Sequence, residues 1–226
     1  MLRAIFYGGN TMKRINVKKL VLIAMLSAVA FLMVSLIRIP VVLFLSYEPK
    51  DVVITIGGFL LGPVASFLIS LVVSLIEMVT ISDTGPIGAL MNLLSTCTFA
   101  CTAAFIYKRK HNLQGAVLGL AVGSIIMVIA MLLWNWLVTP WYMGQPREAV
   151  EQLLLPAFLP FNLLKAGLNT AFTLVLYKPL VSALRKTGLV PSHPHQNGGA
   201  KWSIYLLGAA LLATCILFLL MLRGLI

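Results

Sequence analysis

Charged residues are scarce in this chain, and acidic residues are the scarcest of them. Only 10% of the 226 residues are charged, with six Asp and Glu against 17 Lys and Arg, whereas a soluble protein carries about 25% charged residues. Hydrophobic residues make up 60% of the chain. This composition excludes an ordinary soluble domain and predicts an all-α membrane protein with its helices bundled in lipid.

Metal and catalytic motifs are also lacking. Three Cys and three His are present, and Cys97 and Cys101 lie four apart in one apolar run without a His or carboxylate to complete a metal site. We interpret both cysteines as packing residues. The chain has no G-x-x-x-x-G-K-[ST] phosphate loop, no H-E-x-x-H and no G-x-S-x-G. We therefore expect neither an enzyme nor a resident cofactor, and no ATP hydrolysis by the chain itself.

The basic residues are grouped in short clusters between apolar runs. A net charge of +11 would suit a nucleic-acid partner, but this distribution is typical of membrane topology instead. With the N-terminus in the cytoplasm, 12 of the 17 Lys and Arg residues fall inside, four fall outside and Lys165 lies within a span. The bias predicts a multi-pass membrane protein with a cytoplasmic N-terminus.

The apolar runs predict six spans followed by a seventh. Residues 52–81 are too long for one comfortable span, and Gly62-Pro63 divides them into two shorter helices; a single kinked helix is the alternative. The remaining spans are 17–37, 89–107, 114–138, 156–184 and 202–222. This gives an N-terminal extension (1–12), a six-helix domain (13–186), a linker (187–201) and an extra C-terminal helix (202–226).

Polar residues within the spans mark a candidate ligand site. Asn162, Lys165 and Asn169 have the spacing i, i+3, i+7 and therefore share one helix face. A lysine that snorkels to the membrane rim is the alternative, but snorkelling does not explain the asparagines. Asn135 lies between two tryptophans, which also suit an interfacial aromatic belt. Together these groups predict a largely apolar pocket for a flat heteroaromatic ligand.

Buried acids are not expected around that site. Glu77, near the end of its helix, is the only carboxylate predicted within a span, whereas Glu48 and Asp51 are predicted to lie in a loop. This lack of carboxylates argues against a proton relay.

Four segments of the chain resemble a known family. The chain is similar to the S components, the substrate-binding subunits of energy-coupling factor (ECF) vitamin transporters, and in particular to those specific for riboflavin. The resemblance covers about residues 12–186 and rests on residues 45–51 (LSYEPKD), 57–63 (GGFLLGP), 88–92 (GALMN) and 162–165 (NLLK).

The resemblance implies a riboflavin site that opens outward. Riboflavin would be the transported ligand, held by hydrogen bonds from Asn135, Asn162 and Lys165, while the loop near Leu45 would act as a lid.

It also implies partners in a bacterial cell membrane. A transmembrane coupling protein would dock on the small residues Ala24 and Ala28 of the first helix, and two ATPase subunits would supply the missing ATP hydrolysis. Two alternatives stay open: an S component for another vitamin or precursor, and a membrane enzyme or assembly factor without a transported ligand.

The seventh span departs from the six helices that the resemblance implies. We expect it to face lipid or a partner, to end outside the cell and to be dispensable for ligand binding, since every candidate polar residue precedes it.

Overall fold

The fold is a bundle of helices with one short β-hairpin near one end. The computed structural model describes residues 17–82, 84–186 and 202–222, so the predicted extension at 1–12 and the linker at 187–201 lie outside the described residues. The elements are α1 (Val17–Leu36), β1 (Ile39–Val42), β2 (Leu45–Tyr47), α2 (Lys50–Leu61), α3 (Pro63–Thr80), α4 (Gly85–Thr96), a π-helical turn (Cys97–Cys101), α5 (Thr102–Arg109), α6 (Leu113–Leu137), α7 (Thr139–Met143), α8 (Arg147–Leu153), a second π-helical turn (Leu154–Phe158), α9 (Leu159–Lys186) and α10 (Trp202–Leu222).

Gly62 and Pro63 divide the long apolar block as predicted. Gly62 has a φ of +97°, a conformation open to glycine but strained for other residues, and Pro63 begins α3 where its missing N–H costs nothing. The single kinked helix is therefore wrong. With 12 residues, α2 is about 18 Å long and does not cross a core of about 30 Å by itself.

Within the described residues, five helical stretches are long and apolar enough to cross a membrane. They are Val17–Leu36, Pro63–Thr80, Gly85–Arg109, Leu113–Leu137 and Arg147–Tyr177. A shorter apolar stretch, Tyr205–Phe218, lies within α10. The predicted all-α membrane fold is confirmed, with α2 as its short member.

The apolar loop predicted after α1 is a hairpin. Strands β1 and β2 are antiparallel, with Ile39 opposite Tyr47 and Pro40 opposite Ser46. The chain turns at Leu43, which has a φ of +50°. Leu45 and Tyr47, two residues apart on β2, are both buried, so one face of the strand packs into the protein.

Helix α10 packs along α9 through small residues. A Cβ added to Gly167 of α9 would lie 2.6 Å from the Cys215 Sγ, and one added to Gly208 would lie 2.9 Å from a methyl group of Val175. Because the contacts pair 167 with 215 and 175 with 208, the two helices run antiparallel. The opposite face of α10 is exposed at Leu206, Leu207, Ile216 and Leu217. Helix α10, expected to face lipid or a partner, thus packs on α9 with one side and is exposed on the other.

This crossing predicts a disulfide. In Gly167→Cys, the new thiol should form a bridge with Cys215 under mild oxidation, because the backbones already approach within bridging reach. Cys97 and Cys101 are replaced by Ala in the test, and a protease site is introduced between residues 187 and 201. After cleavage, the two fragments should migrate together until they are reduced.

The control is Leu163→Cys in the same background, since Leu163 is exposed on α9. Fragments that separate without reduction in both variants would contradict the crossing.

Candidate ligand-binding site

A polar cavity lies under the hairpin. Its empty volume, including the part open to solvent, is about 440 Å³. The hairpin covers it, while α4, α6 and α9 supply most of the wall. The lining residues are Arg38, Phe44, Leu45, Ser46, Glu48, Thr84, Met91, Asn92, Ser95, Met131, Phe161, Asn162 and Lys165.

An apolar groove adjoins the polar cavity. It has an empty volume of about 240 Å³ and is lined by Phe44, Thr84, Ile87, Gly88, Met91, Trp134, Val138, Thr139 and Tyr142. Phe44, Thr84 and Met91 line both spaces. The site thus has a polar half and an aromatic half, which meet at Phe44.

The three polar residues of α9 all face the protein interior. Lys165 is 5% exposed, and its Nζ lies 3.2 Å from an Asp51 carboxylate oxygen. The snorkelling alternative is therefore wrong. Asn162 lines the cavity and donates a hydrogen bond of 2.7 Å to the Phe158 carbonyl. Asn169 does not line it; its amide instead donates to Asp51 at 3.1 Å.

Asp51 was predicted to lie in a loop, and this prediction is wrong. It lies in the first turn of α2 and is 1% exposed. Its carboxylate accepts hydrogen bonds from the Thr96 hydroxyl at 2.6 Å and from Asn169, in addition to its ion pair with Lys165. A carboxylate in the first helical turn also interacts favourably with the helix dipole. Asp51 does not line the cavity, but its carboxylate fixes the position of Lys165, which does.

A second buried network joins the cavity to α3. The Glu48 carboxylate lies 3.2 Å from Arg38 Nε and 2.7 Å from Lys50 Nζ. Lys50 also pairs with Glu77, which accepts a hydrogen bond of 3.3 Å from the Asn92 amide. The expected lack of buried carboxylates is wrong, because Glu48 and Asp51 join Glu77 in the interior.

Within the described residues, the charges around the cavity balance, and of these only the Arg38 side chain is partly exposed, at 32%. Three cations face three carboxylates, and each cation lies within ion-pair distance of at least one acid: Arg38, Lys50 and Lys165 against Glu48, Asp51 and Glu77. A buried charge is tolerated only when it is paired and hydrogen-bonded. With its cations already paired, this cavity suits an uncharged ligand that forms many hydrogen bonds.

Asn135 lies between the two halves of the site. It is fully buried; its side-chain oxygen accepts from the Thr139 hydroxyl at 3.0 Å, and its Nδ2 has no partner within the described residues. One helical turn earlier, Met131 lines the polar cavity, and one turn later Thr139 lines the groove. Asn135 does not itself line either space. Its unpartnered donor therefore lies on α6 between a residue of the cavity and a residue of the groove.

The neighbouring tryptophans separate into two roles. Trp134 lines the apolar groove. Trp136 instead donates a hydrogen bond of 2.8 Å to Glu151 and has the Arg147 guanidinium over its ring, so it binds α8 to the end of α6. The aromatic-belt interpretation thus does not account for Trp134.

The hairpin supplies the cover of the site. Leu45 lines the cavity and is buried. Phe44 packs edge-on against Tyr142 and tilted against Phe158, with ring centroids 5.2 Å and 6.3 Å apart. Tyr47 is buried beneath the strand, and this burial raises the pKa of its hydroxyl, which therefore stays neutral.

The predicted docking residues lie apart from the cavity. Ala24 and Ala28 are both exposed, whereas Leu22, Ile23 and Leu26 of the same helix face the core. One face of α1 thus offers small side chains to a neighbour in the membrane.

Comparison with known proteins identifies the family. A family model described as the ECF transporter, substrate-specific component, matches residues 18–177. The chain belongs to this family. It is a membrane transporter subunit and not an enzyme, so the alternative of a membrane enzyme or assembly factor is wrong.

Curated relatives and a solved structure agree with this assignment. The chain is 28% identical to the riboflavin transporter RibU of Staphylococcus aureus over 189 residues, which cover 78% of this chain and 99% of the relative. It is 27% identical to the riboflavin transporter FmnP of Bacillus subtilis over 176 residues, covering 72% and 92%. A structure titled "Structure and mechanism of the S component of a bacterial ECF transporter" superposes with a TM-score of 0.65 at 30% identity, covering 74% of this chain and 98% of that one.

The Asp51–Lys165 pair makes a prediction that needs no ligand. Asp51→Ala leaves a buried ammonium without its partner and should lower the free energy of unfolding by about 3 kcal/mol or more. Asp51→Ala/Lys165→Met removes both charges and should be more stable than Asp51→Ala. Thermal unfolding in detergent, followed by tryptophan fluorescence, measures both.

Thr96→Ala is the matched control, since it removes one hydrogen bond to Asp51 and should cost only about 1 kcal/mol. A double variant no more stable than Asp51→Ala would contradict the pairing.

Proposed function

We propose that this chain is the substrate-binding membrane subunit of an ATP-driven vitamin importer and that its ligand is riboflavin. The proposal rests on one observation: a polar, charge-balanced cavity and an aromatic groove adjoin each other. Riboflavin has a flat heteroaromatic ring system and an uncharged polyol chain, and this two-part site suits both. The relatives named riboflavin transporters support the same ligand.

Three polar side chains are the proposed hydrogen-bond donors to the ligand. Asn162 and Lys165 line the polar cavity, and Asn135, buried on α6 between Met131 of the cavity and Thr139 of the groove, has an unpartnered donor. We propose that these three residues donate hydrogen bonds to riboflavin and that Leu45, with the rest of the hairpin, closes over it. A ligand acceptor would give the Asn135 amide the partner that it lacks.

A cytoplasmic N-terminus, which we propose, would put the site at the outer face. With a cytoplasmic N-terminus, α1 would run outward and the hairpin would lie outside. The short α2 would then run inward and α3 outward, and the basic end of α5 at Lys108 and Arg109 would return to the cytoplasm. The cavity under the hairpin then opens outward. We propose this orientation in a bacterial cell membrane, with riboflavin entering from outside.

Release to the cytoplasm requires partners. The chain has no phosphate-loop motif, so we propose that an ECF transmembrane coupling protein and two ATPase subunits complete the importer. The exposed Ala24 and Ala28 would let a helix of the coupling protein approach α1 closely.

Riboflavin binding is tested by flavin fluorescence. The purified protein should quench riboflavin fluorescence on titration, and Asn162→Leu and Asn135→Leu should each weaken binding by more than about 1 kcal/mol, because a ligand polar group loses its partner. Leu163→Ala is the matched control, since Leu163 neighbours Asn162 but is exposed. Binding unaffected by both asparagine changes would remove these residues from the site, and no quenching by the parent would refute riboflavin as the ligand.

The charge balance predicts discrimination against phosphorylated flavin. Riboflavin phosphate should bind at least about tenfold more weakly than riboflavin, because the cavity cations are already paired and Glu48 would repel the phosphate. Glu48→Gln removes that repulsion and should reduce the difference in affinity between riboflavin and riboflavin phosphate. Competition titrations measure both affinities, and equal affinity for the two flavins in the parent would contradict a cavity built for an uncharged ligand.

The docking face predicts loss of transport without loss of binding. Replacing both Ala24 and Ala28 with Leu should block close helix approach, abolish ATP-driven riboflavin uptake by the whole complex and leave riboflavin affinity unchanged. Replacing the exposed Ala209 and Ala210 of α10 with Leu is the matched control. Normal uptake by the α1 variant would place the docking surface elsewhere.

A further inference from the structure

Helix α10 lies outside the part of the chain that defines the family. The family model ends at residue 177, whereas α10 begins at Trp202. The matched 78% of this chain already covers 99% of the Staphylococcus aureus relative. The contacts of α10 therefore have to be explained from this chain alone.

One side of α10 closes a small apolar cluster. The buried members of the cluster are Tyr47 of the hairpin and Leu164 and Leu168 of α9. Leu212, Cys215 and Phe218 of α10 pack against them from the other side. This contact reaches the same part of α9 that carries Lys165, because Leu164 precedes Lys165 directly.

Tyr47 connects this cluster to the ligand site. It is 3% exposed, and its immediate neighbours Ser46 and Glu48 both line the cavity. Tyr47 shares the buried face of β2 with Leu45, but its ring does not line the cavity and belongs instead to the cluster with Leu164 and Leu168. Because Tyr47 belongs to the cluster against which α10 packs, holding its ring also holds the strand that forms one edge of the cavity.

The hairpin depends on such packing. A two-stranded hairpin is marginally stable by itself and needs a packed face. Phe44 packs at the turn, Arg38 bonds to Glu48 and to the Ile81 carbonyl, and Tyr47 is the aromatic anchor of β2. An aromatic side chain buries about 150–250 Å² of its own surface. Removing the α10 side chains that pack against the Tyr47 cluster would reduce this buried area and weaken the anchor.

We infer that α10 is an intramolecular buttress that positions the hairpin through Tyr47 and thereby slows release of the bound ligand. The inference rests on the proposed function, in that the ligand used to measure it is riboflavin. It replaces the expectation that α10 is dispensable for binding. Leu212, Cys215 and Phe218 are positioning residues, because they act on the cavity through Tyr47.

The test compares two adjacent residues of α10. Phe218 packs against the Tyr47 cluster, whereas Leu217 is exposed. Phe218→Ala should raise the riboflavin dissociation rate at least about threefold, with little change in the association rate, because mutations that loosen a site act mainly on dissociation. Leu217→Ala should leave both rates unchanged. Stopped-flow flavin fluorescence measures them.

A double-mutant cycle separates positioning from general destabilisation. If Phe218 acts through Tyr47, Tyr47→Ala/Phe218→Ala should release riboflavin no faster than Tyr47→Ala, whereas independent effects would multiply. Tyr47→Phe should behave like the parent, since the Tyr47 hydroxyl has no partner within the described residues. Multiplying effects, or a Phe218→Ala variant with parental rates, would overturn the inference.

A ligand-free measurement keeps this inference distinct from the proposed function. Gly208→Leu should displace α10 from Val175, and amide hydrogen exchange of residues 45–48 should then accelerate without any ligand. If exchange were faster in Gly208→Leu and the parent bound no riboflavin, the role of α10 would be supported and riboflavin would be refuted as the ligand. Unchanged exchange in Gly208→Leu and Phe218→Ala would refute the buttress whatever the parent binds.

Discussion

The Asp51–Lys165 ion pair joins the parts of the molecule that form the site. Asp51 lies in the first turn of α2, Lys165 lies on α9, and Thr96 at the end of α4 donates to the same carboxylate. A charge left alone in a low-dielectric interior costs several kcal/mol, so each helix is held where its partner can reach it. The pairing thus fixes α4 and α9, which both line the cavity, relative to α2.

The same electrostatics determines what the cavity accepts. Because Arg38 and Lys165 are each paired with a carboxylate, their charges are already compensated before a ligand enters. An uncharged ligand rich in donors and acceptors adds hydrogen bonds without disturbing that balance. The aromatic groove beyond Phe44 supplies the apolar contact that a flat ring system needs. The hairpin covers the polar half, and Phe44 at its turn borders the aromatic half.

Local patterns predicted the helices and part of the site. The turn at Gly62 and Pro63 follows from backbone chemistry, and the inward face shared by Asn162, Lys165 and Asn169 follows from helical periodicity. The membrane class follows from composition alone. These features depend on residues close in sequence, which is why the sequence reveals them.

The partners of those residues were not predictable in the same way. Asn169 and Asp51 bond across a separation of 118 residues, and no local pattern distinguishes a loop acid from one that a distant lysine will bury. The only available signal was that Lys50 and Asp51 adjoin an apolar helix without a polar spacer. The packing of α10 on Tyr47 was hidden for a related reason, since an apolar helix shows no preference between lipid and protein in its sequence.

The most direct test of the account is an experimental structure of the protein with riboflavin bound. The account predicts flavin density in the cavity under the hairpin, with the Lys165 ammonium within about 3 Å of both a ligand acceptor and the Asp51 carboxylate. Riboflavin bound elsewhere, or a Lys165 that leaves Asp51 to reach the ligand, would contradict it.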